Sequence, residues 1–403
     1  MDTVITGLGA VSPAGVGTAA YWAALVEGRT LIAPIPHFDT AGFPVRLGGT
    51  VPGFDPHEHL DGRYVVQTDA FSWFAMVAAA EALRDSGADT AADPYSTGVL
   101  VCSGAGGVEF GQRELAALCR SGPDHVGPYQ SIAWFYAAST GQVSISNGLK
   151  GMCGVLVTEE PGMLDALGQS GQELRRGTSA MLVGGSEAPL GSPFSLACQL
   201  ETGLLSTGED PGTAYVPFSE EARGYVPAEG GAVAFVEGSS DARARGARVR
   251  AVVAGHASTF SGVGSMDPGG EGLLNAALGA MARAGVGPDD VDVVFADAMG
   301  TPKADADEAA AIRRLFPRGV AVTAPKTGFG RAYAGAGALD VAAAVLSLEH
   351  QVVPPTPHVS DPPVGLDLVV RVARPTPLRT ALVLSRGAGG GNSAIVLKHP
   401  DHA

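Results

Sequence analysis

Short apolar runs that end in glycine-rich turns and hand over to helical stretches recur along this chain, and that alternation limits the folds open to it. Val4-Ile5-Thr6-Gly7 leads into a Gly/Pro loop and then a helical stretch containing Tyr21, Trp22 and Leu25. Thr97 to Cys102 is a buried-strand run closed by Gly104-Ala105-Gly106-Gly107, and Val291 to Phe295 and Val320 to Thr323 repeat the pattern. Apolar runs of this length between turn signals read as strands, and the longer periodic stretches between them as helices, so the class is α/β. The 57 glycines and the low 6% aromatic content suit tight turns and closely packed helix–strand layers. With 45% hydrophobic and 17% charged residues over 403 positions, the chain can bury a large core. The polar, small-residue stretch from Gly238 to Ala247 is the expected boundary, dividing the chain into 1–238 and 247–403.

A net charge of −15 repels nucleic acid and anionic lipid, which removes both as partners. No uninterrupted apolar run reaches membrane-spanning length, and Met1 to Ile5 shows no basic leader before an apolar run. Cys102, Cys119, Cys153 and Cys198 have no Cys-x-x-Cys spacing, so reduced and mostly buried thiols in a cytoplasmic protein are expected. Gly7-Leu8-Gly9-Ala10-Val11-Ser12 lacks the third glycine of a dinucleotide fingerprint and reads as a tight turn. No cofactor or metal is expected.

Cys153 to Thr158 is a further strand run, Glu159-Glu160-Pro161 its turn, and from Pro161 the residues Leu164, Leu167 and Leu174 share one helical face. Arg175-Arg176-Gly177 closes that helix with cations and a terminal glycine. The geometry puts Glu160 at the positive end of the helix, where acyl-transferring enzymes place Cys or Ser. A carboxylate is stabilised there as well, but it is a poor acyl acceptor. From this segment alone, a surface capping glutamate is the default reading.

From Val4 to Lys398 the chain resembles a β-ketoacyl synthase of the thiolase fold, carried by Pro217 to Gly231, Pro325-Lys326-Thr327 and Gly389-Gly390-Gly391-Asn392-Ser393-Ala394. More narrowly it is similar to the chain-length factor, the ketosynthase-beta subunit of bacterial aromatic polyketide systems. Tyr129 to Tyr136, Gly107-Val108-Glu109-Phe110 and Val294-Phe295-Ala296-Asp297 carry that likeness. The resemblance implies two βαβαβ-type halves in layered α-β-α-β-α packing. It places the family's nucleophilic Cys on Glu160, its first catalytic His on Met299 and its second on Arg331, so no catalytic residue is expected in this chain. Condensation needs a thiolate to carry the acyl chain and donors to stabilise an enolate; Met299 does neither, and Arg331 has no acyl-cysteine to act upon. Chain-length factors usually carry Gln then Ala where Glu160 and Pro161 stand. Lys326 and Asp340 correspond to a structural salt bridge. His256, His350 and His358 fall outside the matching positions and read as ordinary surface or core histidines.

The resemblance further implies a heterodimer with a catalytic ketosynthase-alpha subunit, whose polyketide tunnel runs into the shared interface. Val108, Gly111, Gln112 and Leu115, with Ile132 and Phe194 opposite, match the positions that set chain length, although core packing is the alternative for such apolar residues. Gly111 and Leu115 are smaller than the residues of short-chain members, which implies a roomier tunnel. Trp134, Phe135 and Tyr136 are expected at the dimer interface. Acyl carrier protein is expected to dock mainly on the partner. The competing readings are an active or malonyl-decarboxylating synthase and a purely structural dimerisation partner.

Overall fold

The computed structural model describes Asp2 to His402. Ten strands form its frame: β1 (Thr3–Ser12), β2 (Thr97–Cys102), β3 (Cys153–Gly154), β4 (Ala180–Glu187), β5 (Gly230–Gly238), β6 (Ala251–Phe260), β7 (Val293–Phe295), β8 (Ala321–Thr323), β9 (Thr380–Arg386) and β10 (Gly391–Lys398). They pair in the order β3-β2-β4-β5-β1 and, five places on, β8-β7-β9-β10-β6. In the first half β2 is parallel to β3 and β4, while β4–β5 and β5–β1 are antiparallel. In the second, β7 is parallel to β8 and β9, while β9–β10 and β10–β6 are antiparallel. The halves join where Thr3 to Ile5 pair antiparallel with Val253 to Ala251.

The principal helices are α1 (Ala70–Ser86), α2 (Val108–Ser121), α3 (Gly162–Arg175), α4 (Pro193–Leu200), α5 (Glu271–Ala284), α6 (Pro302–Leu315) and α7 (Ala334–His350). α3 and α7 lie back to back between the two half-sheets, α1 covers the first half-sheet and α5 the second. Layering of helix, sheet, helix, sheet, helix follows, as a thiolase-like fold requires. The middle layer is buried on all sides: Ala334 to Leu348 of α7 is buried throughout. Leu164, Leu167 and Leu174 of α3 are buried as their spacing predicts.

Three expectations are corrected. Gly7 and Gly9 do not make a turn; they lie inside β1, where any Cβ would collide with the carbonyls of Ala82 and Ala78 on α1. These glycines let helix and strand approach to backbone contact. The strand expected over Cys153 to Thr158 pairs only at Cys153 and Gly154, because β3 is the edge of the sheet and has no neighbour on its outer side. Of the four cysteines only Cys102 is buried; Cys119, Cys153 and Cys198 are exposed on peripheral elements. The stretch from Gly238 to Ala247 holds a short helix, Ser239–Ala244, with Ala242 buried against the sheet.

Candidate functional site

The turn before α3 sets the site. Glu159 takes a left-handed backbone conformation (φ 55°), and its Oε2 accepts the Gly389 N–H at 2.8 Å. A Cβ on Gly387 would strike that carboxylate, so the glycine run before β10 is shaped around it. The strained φ aims the next residue, Glu160, inward rather than to the surface: it is 2% exposed. The surface-cap reading is thereby removed.

Glu160 and Arg331 come together, with Nη2 3.7 Å from Oε1. Arg331 nevertheless gives its hydrogen bonds elsewhere. Its Nη1 donates to the Asp297 carbonyl at 2.6 Å and its Nη2 to Asp297 Oδ1 at 3.0 Å and to the Arg386 carbonyl at 3.2 Å. Asp297 is the hub: Oδ1 also accepts the Arg386 N–H at 2.9 Å, and Oδ2 accepts Arg386 Nε at 3.0 Å. Arg386 Nη2 reaches Glu308 Oε2 at 3.0 Å, and Glu308 caps the Asp297 and Ala298 N–H groups at 2.7 and 2.9 Å. Lys326 pairs with Asp340 and also donates to the Asp297 carbonyl at 3.1 Å. Every one of these side chains is buried.

The ion pairs of this cluster join Lys326, Arg331 and Arg386 to Asp297, Glu308, Asp340 and Glu160. Three cations balance three carboxylates, and Glu160 is the fourth. Burial raises the Asp297 carboxyl, but Arg331, Arg386 and Lys326 pull it well below the usual range. Glu160 goes the other way: burial pushes it up to about 7 against the pull of Arg331, and its Oε2 has no hydrogen-bond partner. Glu160 and Arg331 form an ion pair, and Asp297 does most of the neutralising beside it. Met299 is fully buried against Leu190, Leu196, Tyr215 and Tyr225, so it fills its position with apolar volume.

Sequence reasoning missed one thiol near the turn. Cys102, at the end of β2, packs against the start of α3: a Cβ on Gly162 would lie 3.3 Å from its Sγ. Burial pushes that thiol far up, with Asp165 and Glu187 adding to the rise, so no thiolate forms there. Only three-dimensional proximity reveals it.

The positions matched to the chain-length gate lie on one face. α2 packs against the short turn around Gln130–Ala133 and against α4, and Gln112 Oε1 accepts the Phe194 N–H at 3.0 Å. Val108, Gly111 and Gln112 are half-buried, whereas Leu115 (57% exposed), Phe194 (51%), Ile132 and Trp134 to Tyr136 face outward. Core packing within this chain is therefore excluded for Leu115, Ile132 and Phe194. Leu118, Ile145 and Val157 are exposed apolar residues as well. Gly111 is close only to Trp134, whose Cβ would be 3.5 Å from an added Cβ, so a larger side chain fits at the first carbon.

Among known proteins, residues 2–242 match the β-ketoacyl synthase N-terminal domain and residues 250–360 the C-terminal domain. The chain is 53% identical over 400 residues, 98% of its length and 94% of the other, to a polyketide beta-ketoacyl synthase 2 of Streptomyces coelicolor. It is 49% identical over 402 residues, 98% of each, to the tetracenomycin polyketide synthase ketoacyl synthase beta subunit of Streptomyces glaucescens. Among solved structures it is similar to the ishigamide ketosynthase/chain length factor, with TM-score 0.88, 25% identity and 98% of each chain covered. It is likewise similar to a type II polyketide synthase ketosynthase in complex with its acyl-carrier protein and bound to the hexaketide, with TM-score 0.88, 27% identity, and 98% and 99% covered. With a ketosynthase fold, relatives of near-equal length and no acyl-accepting residue at the turn, this chain belongs to the β-ketoacyl synthase family, in its chain-length-factor (ketosynthase-beta) branch from type II polyketide synthases.

Proposed function

We propose that this chain is the non-condensing subunit of a heterodimer with a catalytic ketosynthase-alpha subunit, and that the face around Gly111 forms the wall limiting polyketide length. The observation carrying this reading is a contrast. Glu160 and Arg331, matched to the family's nucleophile and second histidine, sit in a cluster of buried charges, while apolar side chains on α2, α4 and residues 132–136 stand exposed in the single chain. Val108, Gly111, Gln112, Leu115, Ile132 and Phe194 line the tunnel in this proposal; Trp134, Phe135 and Tyr136 make the subunit contact. Lys326 and Asp340 hold the loop before α7. Acyl carrier protein docks mainly on the partner subunit, because a chain of net charge −15 repels an acidic carrier.

The decisive test replaces Gly111 by Phe in the co-expressed heterodimer. The main product should shorten by about one or more two-carbon units with the dimer intact, since pocket volume sets the limit sterically. An unchanged product distribution would leave dimerisation as the chain's whole contribution. Association is tested separately. Made alone, the chain should self-associate through its exposed apolar face, and co-expression with a ketosynthase carrying the Cys and both His should convert it to a one-to-one complex. A well-behaved monomer in sedimentation, indifferent to that partner, would refute the interface.

A further inference from the structure

A second site lies away from the tunnel face and the buried charges. A cleft of about 380 Å³ opens between the C-terminal half of α3, the start of β6 and the end of α5. Gly168, Gly171 and Arg175 stand on one face of α3, at helical spacing, and line it. The two glycines hollow the cleft. A Cβ on Gly168 would collide with the His256 ring, and one on Gly171 would stand 3.1 Å from Thr3 Oγ1 and 3.6 Å from Arg175 Nη1. The Arg175 guanidinium is thus folded back over its own helix, along the cleft wall.

Arg283 enters from α5 and is held by a hydrogen bond from Nη1 to the His256 carbonyl. The His256 ring is fixed in turn, with Nε2 2.9 Å from Asp165 Oδ1 and 3.1 Å from Ser393 Oγ. Both arginines sit in the last turn of a helix, where the dipole alone favours a cation. The dipole does not explain why both line one cleft without an ion-pair partner. Among the described residues neither makes an ion pair; the neighbouring Arg176 takes Glu173, and Asp165 is engaged by His256. In a chain with an excess of fifteen acidic over basic charges, two exposed guanidiniums without an ion-pair partner line one concave site.

We propose that this cleft binds a phosphate monoester. Two guanidiniums match the forked oxygens and double charge of phosphate better than a single carboxylate. The Thr3 hydroxyl adds a neutral donor at the rim, and the cleft is larger than a bare phosphate ion requires, which leaves room for a small ester group. The site is independent of the chain-length reading.

The test is calorimetric titration of the purified heterodimer with inorganic phosphate, glycerol 3-phosphate and acetate. Both phosphates should bind with a dissociation constant of about 1 mM or tighter, and acetate at least about tenfold more weakly. Arg175→Gln and Arg283→Gln should each weaken phosphate binding about tenfold or more, whereas Lys303→Gln, on the exposed face of α6, should leave it unchanged. No binding at about 10 mM phosphate, or equal weakening by Lys303→Gln, would overturn the proposal by reducing it to bulk charge. Binding of inorganic phosphate without glycerol 3-phosphate would overturn the ester assignment.

Discussion

Replacing Asp297 by Ala should destabilise the fold by about 3–5 kcal/mol, the cost of removing one partner from a buried ion pair. Its carboxylate accepts from both Arg331 and Arg386, each about 1% exposed, so the substitution strands two guanidiniums where water cannot reach them. Asp297→Asn should cost less, because an amide oxygen still accepts hydrogen bonds although the charge is gone. The measurement is the midpoint of thermal or denaturant unfolding for the heterodimer carrying each variant, at fixed scan rate and protein concentration. A change within about 1 kcal/mol for Asp297→Ala would mean that Glu308 and Glu160 alone hold the two arginines.

Glu160→Gln should do the reverse and stabilise the protein, increasingly as pH rises. In the folded chain the Glu160 carboxyl is pushed by burial from 4.5 up to about 7, so the native state retains a proton that the unfolded chain has already released. Native stability from this group is fully present below about pH 4.5 and falls as pH climbs through about 7. A shift of that size corresponds to about 3 kcal/mol at most. Gln keeps the shape, carries no charge and is the residue chain-length factors usually have there. Glu187 and Asp305 are also pushed up to about 7 by burial, so the wild type loses stability over the same window for more than one reason. The readout is therefore the difference between variant and wild type, expected near zero at pH 4 and about 1–3 kcal/mol at pH 8. In the proposed heterodimer, where the acyl chain rides on the partner's cysteine, condensation should stay within about tenfold of wild type. A hundredfold loss, about 3 kcal/mol of barrier, would give Glu160 a chemical role.

The alternation of strands and helices and the apolar face of α3 were legible in the sequence, because each is a local pattern; the reading of Glu160, Met299 and Arg331 as replaced reactive positions rests on matched motifs. The hub of the buried cluster was not. Asp297, Glu308, Arg331 and Arg386 are spread over ninety residues, and Asp297 reads in sequence only as part of a signature after β7. Nothing local says that it takes two arginines. Leu115, Ile132 and Phe194 could not be assigned between core and contact face, since both ask for apolar side chains; only the fold shows them uncovered. The strand expected over Cys153 to Thr158 was too long for a related reason: composition does not tell a strand whether it has a neighbour.

That last point bears on how copies can add to one another. The two half-sheets share one strand order but end differently. β8 is followed by a short parallel strand, Asp367–Leu368, whose acid is gripped by Arg374 at 2.6 and 2.8 Å, whereas β3 ends the other side with nothing beyond it. A charged two-residue strand is a poor template for further pairing. Both ends of the sheet are thus two-residue strands, and neither offers a long edge along which copies could pair into a fibre.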